Sequence, residues 1–195
     1  MVSPHNIPAM DSRETLRREG RRRRATVAAG ENDSGPRLAE RFLSSIPYRE
    51  HKIVSGYWPV GGEIDDRPLL RALRAERLAV ALPRVVAEGC PLQFRAWGDA
   101  DDLEPGPYGI PVPLRSAAPL RPTLVIVPLV LFDGVGHRLG SGKGFYDRTL
   151  AELRGVSTIL AVGVAYMAQR IEALPALPTD QRLDAVVTEA GVEWF

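Results

Sequence analysis

Lysine and cysteine are the rarest reactive side chains in this sequence. Of its 25 basic residues only Lys52 and Lys143 are lysines, and Cys90 stands alone. A single cysteine excludes an intrachain disulfide, and the missing C-x-x-C pair argues against structural zinc, so a reducing, cytoplasmic setting is expected. No apolar run approaches the roughly 18 residues of a membrane helix. Residues 21–24 are all arginine, but the stretch 25–30 that follows is too short and polar for the core of a secretory signal. Neither sign of charge prevails: 24 acids leave a formal net charge of +1, so the overall balance points to neither nucleic acid nor a membrane surface. Two nucleotide fingerprints are absent as well. Gly144 after Lys143 excludes G-x-x-x-x-G-K-[ST], and the glycines at 140, 142 and 144 are too closely spaced for G-x-G-x-x-G.

What is present suits a compact enzyme domain. A chain of 195 residues with 45% hydrophobic content can bury one sizeable core. Residues 1–10, with two prolines and no periodicity, read as a flexible tail, and residues 11–195 as one domain. A helix is expected from Ser12, with Ser12 or Thr15 as cap, Leu16 and Val27 as a thin apolar face, and arginine over the remainder. Further helices are expected over 36–46, 65–76, 144–153 and 167–174. Strands are expected over 52–57, 78–82, 124–132, 157–164 and 185–188, with an extra one over 91–97. Residues 98–122, rich in proline, glycine and acid, read as a long surface loop. This alternation predicts an α/β fold, a Rossmann-like three-layer α/β/α sandwich with a mainly parallel central sheet.

The densest chemistry lies in residues 133–148. Gly140, Gly142 and Gly144 alternate with other residues, Arg138, Lys143 and Arg148 supply positive charge, and Asp133 and Asp147 supply carboxylates. Closely spaced glycines let several amide N–H groups converge on one anion. A lysine between two glycines, in a chain otherwise built on arginine, suggests a compact, flexible point charge for phosphate. The stretch follows an apolar run and precedes a helical pattern, which is where α/β proteins bind phosphate. Glycine turns of this kind also arise for steric reasons alone, and Asp147 with Arg148 also suits a simple pair at a helix start.

These residues resemble the signature of the 5-formyltetrahydrofolate cyclo-ligase family, D-x-x-G-x-R-L-G-x-G-x-G-x-Y-D-R, which is matched at every fixed position from Asp133 to Arg148. Weaker similarity covers Leu16 and Arg17, Tyr57 to Pro59, Gly62 and Glu63, Leu82 and Pro83, Gln169, Pro175 and Asp180. The resemblance implies ATP and 5-formyltetrahydrofolate as substrates, Mg2+ as the metal, and a monomer binding neither nucleic acid nor membrane. It places Arg13, Arg17, Arg138, Leu139, Gly140, Ser141, Gly142, Lys143, Gly144, Phe145 and Tyr146 on ATP, with Lys143 and Arg148 catalytic. Asp147 and Asp180 are implied as the metal acids. Glu63 is implied to hold the pterin, whose ring N–H and amino donors suit one carboxylate, with Trp58 (or Tyr57) and Tyr146 as aromatic walls.

The chain departs from the family pattern in four places. Arg13 replaces a lysine, Asp66 stands where many members have threonine, Thr179 replaces a histidine and Leu177 a glutamate. Two other readings stay open: a paralogue of the same fold that binds nucleotide or folate without cyclising it, and a nucleic-acid-associated module built on the arginine run. From residue type alone, Asp65 and Asp66 also suit the cap of the following helix, and the arginines a solvated helix face.

Overall fold

The computed structural model describes residues 9–195, with side chains from Ser12 onward. The helices are α1 (Ala9–Ala28), α2 (Ser34–Ser45), α3 (Arg67–Ala75) and α4 (Phe145–Arg154). The strands are β1 (Ile53–Ser55), β2 (Ala79–Arg84), β3 (Gln93–Ala96), β4 (Leu103–Pro105), β5 (Pro111–Pro113), β6 (Pro119–Leu120), β7 (Leu124–Pro128), β8 (Leu131–Phe132), β9 (Arg138–Leu139), β10 (Leu160–Val164), β11 (Ala185–Val187) and β12 (Val192–Trp194).

β7 shows how the sequence specifies two covered faces. Successive strand side chains point to opposite sides, so Leu124 and Ile126 enter one core while Val125 and Val127 enter the other. The first core holds Leu38 and Phe42 of α2 with Leu69, Leu70 and Leu73 of α3; the second holds Leu150 and Leu153 of α4. Three layers result, as expected for α/β/α. The main sheet runs β12-β11-β10-β7-β1-β2-β3-β6. Its five central strands, β11 to β2, are parallel. β12, β3 and β6 pair antiparallel at the edges.

Several boundaries differ from the sequence expectation, each for a physical reason. The run 124–132 is not one strand. After Pro128 the chain leaves the sheet, and β8 pairs instead with β9 in a separate hairpin. The helix expected over 167–174 is only a 3-10 turn, Met167–Gln169. Gln169 turns inward there: its amide donates to the carbonyls of Leu129 and Val130 at 2.9 and 3.0 Å and accepts from Tyr166 N–H at 2.8 Å. The Ile171 N–H then bonds to Phe132, which draws the following backbone away from a helix. Residues 98–122 are not an open loop, because β4 and β5 form a hairpin and β6 joins the main sheet. The first helix begins at Ala9, so Ser12 lies within it and is not its cap. Residues 1–8 of the expected tail lie outside the described residues, and Ala9 and Met10 belong to α1.

α1 lies close against the segment that follows β7. A Cβ at Gly20 would come within 2.6 Å of Val130 Cγ1 and 2.8 Å of its carbonyl, so only glycine permits this approach.

Candidate active site

Ligands of parallel α/β sheets collect where strand order reverses, beyond the C-terminal strand ends. Here β1 is followed by β2 on one side, and β7 pairs on its other side. The segments leaving β1 and β7 therefore bound a crevice: residues 56–63 on one side, Leu129 and Val130 on the other.

α1 runs along this crevice. Arg13, Arg17, Gly20 and Arg24 follow i, i+4, i+7, i+11 spacing and so share one helix face. Arg13 reaches Asp180 at 2.7 Å and the Pro175 carbonyl at 2.7 Å. Arg17 Nε donates to the Gly140 carbonyl at 3.1 Å. Arg24 donates to Glu63 at 3.1 Å and to the Leu129 carbonyl at 3.4 Å. Eleven residues of helix rise about 16 Å, so this one face ties the C-terminal segment, the glycine loop and the residue 56–63 segment together. The basic run is thus only half a solvated face: Arg13 and Arg24 are buried, while Arg22 and Arg23 pair with Glu19 outside.

The sixteen-residue signature divides into a frame and a loop. Asp133 is frame: it is buried and accepts from the N–H groups of Val135, His137 and Leu174 at 3.0 to 3.1 Å, shaping the turn between β8 and β9. His137 also bonds this carboxylate, so it belongs to the turn. Leu139 is buried in β9. Arg138 spans to Asp147 at 2.8 Å and to the Gln181 carbonyl, and the Gln181 N–H returns to Asp147 at 3.0 Å. The loop then uses left-handed backbone at Gly142, with φ +106°, and at Gly144, with φ +66°, the residue that caps α4. Gly140 needs no such conformation. Ser141 is exposed, and Arg21 lies 3.4 Å from its carbonyl. The loop opens onto the N-terminus of the ten-residue α4, where the helix dipole favours an anion.

Lys143, the lone loop lysine, pairs with a carboxylate. Its ammonium lies 3.0 Å from Glu88 and 5.6 Å above the Tyr108 ring, and Tyr108 donates its hydroxyl to the same Glu88 oxygen at 3.0 Å. Tyr108 holds an unusual φ of +62°. Its ring meets Phe145 at 6.3 Å, and the Arg148 guanidinium sits 5.6 Å over Phe145. Glu88, Gly89, Gly142, Lys143, Phe145 and Arg148 line a cavity of about 190 Å³. The hydrogen bond from Lys143 holds the Glu88 carboxyl below its usual range. Glu88→Gln is expected to lower the KM for ATP about two- to threefold, the scale of an exposed ion pair, because a competitor for Lys143 disappears. A raised KM in that variant would show that Glu88 helps hold the nucleotide.

At the other end, Glu63 is nearly enclosed. Burial pushes its pKa up, while the Arg24 charge and the Val60 N–H, 3.1 Å away, pull it back. Tyr57 is buried with its hydroxyl on the Ile64 carbonyl at 2.6 Å, so it belongs to the wall's foundation. Trp58 is half-buried at the rim, edge-on to Trp97 and under the Arg67 guanidinium. Tyr146, from α4, packs on the second core, and its hydroxyl is buried without a hydrogen-bond partner among the described residues.

The two acids expected to hold metal differ in availability. Among the described residues the hydrogen bonds to Asp147 fall on Oδ1, whereas both oxygens of Asp180 are taken by Arg13 and Oδ2 also accepts the Leu177 N–H at 2.8 Å. Among the described residues no three metal-ligating side chains cluster. Magnesium needs no such cluster beside a polyphosphate, and one or two carboxylates suffice, so Asp147 fits this role as the structure stands.

Sequence reading missed Arg24, Glu88 and Tyr108. The helical spacing from Arg13 pointed to Arg24. Glu88 and Tyr108 carry no sequence signal, since they meet Lys143 only through folding.

An α/β sheet with a glycine loop at one side of its switch-point crevice and an acid–arginine pair at the other defines a Rossmann-like α/β protein. The chain belongs to the 5-formyltetrahydrofolate cyclo-ligase family, whose sequence model matches residues 9–189. It is 35% identical over 179 residues to the 5-formyltetrahydrofolate cyclo-ligase of Escherichia coli strain K12, covering 89% of this chain and 98% of that one. It is 32% identical over 170 residues to the enzyme of the same name from Haemophilus influenzae, covering 84% and 90%. The solution structure of the 5,10-methenyltetrahydrofolate synthetase of Aquifex aeolicus superposes with a TM-score of 0.74 at 31% identity, over 93% of this chain and 92% of that one.

Proposed function

We propose that this protein uses ATP to convert 5-formyltetrahydrofolate to 5,10-methenyltetrahydrofolate. The observation that carries the reading is α1, whose single face fastens both the glycine loop and Glu63 to one crevice. The formyl group on N5 is amide-like, and losing its oxygen requires a better leaving group than hydroxide. The formyl oxygen attacks the γ-phosphorus and ADP departs, giving a phosphorylated imidate. N10 then adds to the imidate carbon, its proton is lost, the C–O bond breaks and phosphate leaves.

The chain's residues position and screen. Lys143, Arg148 and Arg138 face the charge that develops on the transferred phosphoryl group, and the loop backbone of Gly140, Ser141, Gly142 and Gly144 orients the phosphates. Arg17 fixes that loop, and Phe145 flanks the nucleotide. Mg2+ bound by Asp147 would supply further neutralisation of phosphate charge; Asp180 would join it only after releasing Arg13. Glu63 accepts the pterin N–H donors between Trp58 and Tyr146. Residues 11–195 act as one domain and the protein works as a monomer in the cytoplasm; among the described residues no helix is long and apolar enough to cross a membrane.

Labelling the formyl oxygen with oxygen-18 tests the sequence of steps. The label is expected in the released phosphate, one atom per turnover. Unlabelled phosphate would show that ATP is hydrolysed without attack by the formyl group, and this mechanism would fall.

A further inference from the structure

Asp66 has no part in the chemistry above, yet it is the most deeply enclosed acid near the crevice. It precedes α3, is 0% exposed, and its side chain does not cap that helix. The Arg67 N–H is served by Asp65 instead, at 3.0 Å. Asp66 Oδ2 accepts from the Tyr57 N–H at 3.0 Å, and Oδ1 is buried with no hydrogen-bond partner among the described residues. Ser55 Oγ, at the end of β1, is likewise buried and has no partner among the described residues.

The titratable groups that face Asp66 are Tyr57 and Glu63 from the connection leaving β1, Asp65 and Arg67 beside it, and Tyr146 from α4. Arg67 is the cation among these, and it is committed to Asp65 through two bonds of 2.7 Å. A buried carboxylate without a cation of its own is costly, and such a group keeps its proton instead. Burial pushes the Asp66 carboxyl well above the ordinary range, and the charges of Asp65 and Glu63 add to this against the pull of the Tyr57 N–H and of its own backbone N–H.

We propose that Asp66 is a positioning residue for the pterin end of the site, a fully buried side chain that fixes residues 56–63 through the Tyr57 N–H and leaves Glu63 to meet the substrate. The inference rests on the reading of Glu63 given above. Ionised Asp66 would place a second negative charge near Glu63 and a bare carboxylate oxygen inside the protein. The 56–63 segment must then loosen to admit water, and the wall formed by Trp58 and Glu63 moves with it. Substrate affinity falls as pH rises, while the phosphate loop is untouched.

The linkage has a definite sign. A carboxyl with a raised folded pKa contributes its full stability below the unfolded value, near 3.8, and loses it as pH climbs through the folded value. Asp66→Asn keeps an oxygen for the Tyr57 N–H but cannot ionise. Its stability relative to the parent should therefore grow with pH across that window.

The experiment measures KM for 5-formyltetrahydrofolate and kcat from neutral to alkaline pH in the parent, Asp66→Asn and Asp66→Thr, together with tryptophan fluorescence without substrate. In the parent, the folate KM is expected to rise about tenfold per pH unit beyond the transition while kcat holds, with a fluorescence transition over the same range. Both variants should lose the KM rise and the transition; the threonine variant serves if asparagine impairs folding. An unchanged alkaline rise in both variants overturns the role of Asp66. A Glu63→Gln variant with the parent's folate KM overturns the Glu63 reading and this inference together.

Discussion

Lys143→Ala is expected to lower kcat by about 10²- to 10³-fold with little change in thermal stability, since removing one preorganised donor from a developing oxyanion has that effect. The stability expectation follows from the lysine's surroundings. Among the described residues its ammonium meets Glu88 and the Tyr108 ring, its side chain is 53% exposed, and the glycines on either side set the loop conformation without it. A purely structural loop would behave in the opposite way, losing stability before turnover. Turnover at saturating ATP, measured beside a thermal melt, separates the two. Full activity in Lys143→Ala would remove the lysine from the mechanism.

Glu63 is the second position of large effect, and two substitutions read different parts of it. Glu63→Ala leaves Arg24 buried and unpaired, an expected loss of about 3 kcal/mol of stability, along with substrate binding. Glu63→Gln keeps one acceptor oxygen for Arg24, gives up the bond from the Val60 N–H to the other oxygen, and carries no charge, so it should fold and raise the folate KM by about 10²-fold, the loss of a charge-assisted pair of bonds. The pH dependence has a sign too. Burial raises the Glu63 pKa, so its carboxylate gains a proton as pH falls, and the folate KM of the parent should rise on the acid side. The Gln variant should show no acid limb. With Asp66 controlling the alkaline side, the two acids bracket the range in which substrate binds, and because they face each other their titrations belong to the pair. A Gln variant that retained the parent's acid limb would assign it elsewhere.

Much of this architecture was legible in the sequence because it rests on local patterns. The unbroken apolar run from Leu124 to Val127 reports a strand buried on both faces, and the glycine loop followed by period 3.6 after Gly144 marks a strand, loop and helix. Where tertiary partners intervene, pattern fails. Gln169 looked like part of a helix, but its side chain is claimed by the carbonyls of Leu129 and Val130, and the helix shrinks to one turn. The arginine run gave its charge but not its direction, although Arg13, Arg17 and Arg24 share a face that also contains Gly20. The glycine was the missing signal, since a helix interior tolerates it only where another backbone comes close. Asp66 read as a cap from its position, and only its burial and the direction of its oxygens distinguish it from one. The meeting of Glu88 with Lys143 joins positions 55 apart in sequence and has no local signature.

The central claim is that one crevice holds both ATP and the folate and joins their chemistry. Near-ultraviolet absorbance of the purified protein with 5-formyltetrahydrofolate and Mg2+, followed before and after ATP is added, tests it most directly. No change is expected until ATP is present, followed by growth of the methenyl chromophore with one ADP formed per methenyl product. ATP bound without any chromophore would contradict it, and would identify a folate- or nucleotide-binding relative in which Arg13, Leu177 and Thr179 have replaced residues the reaction requires.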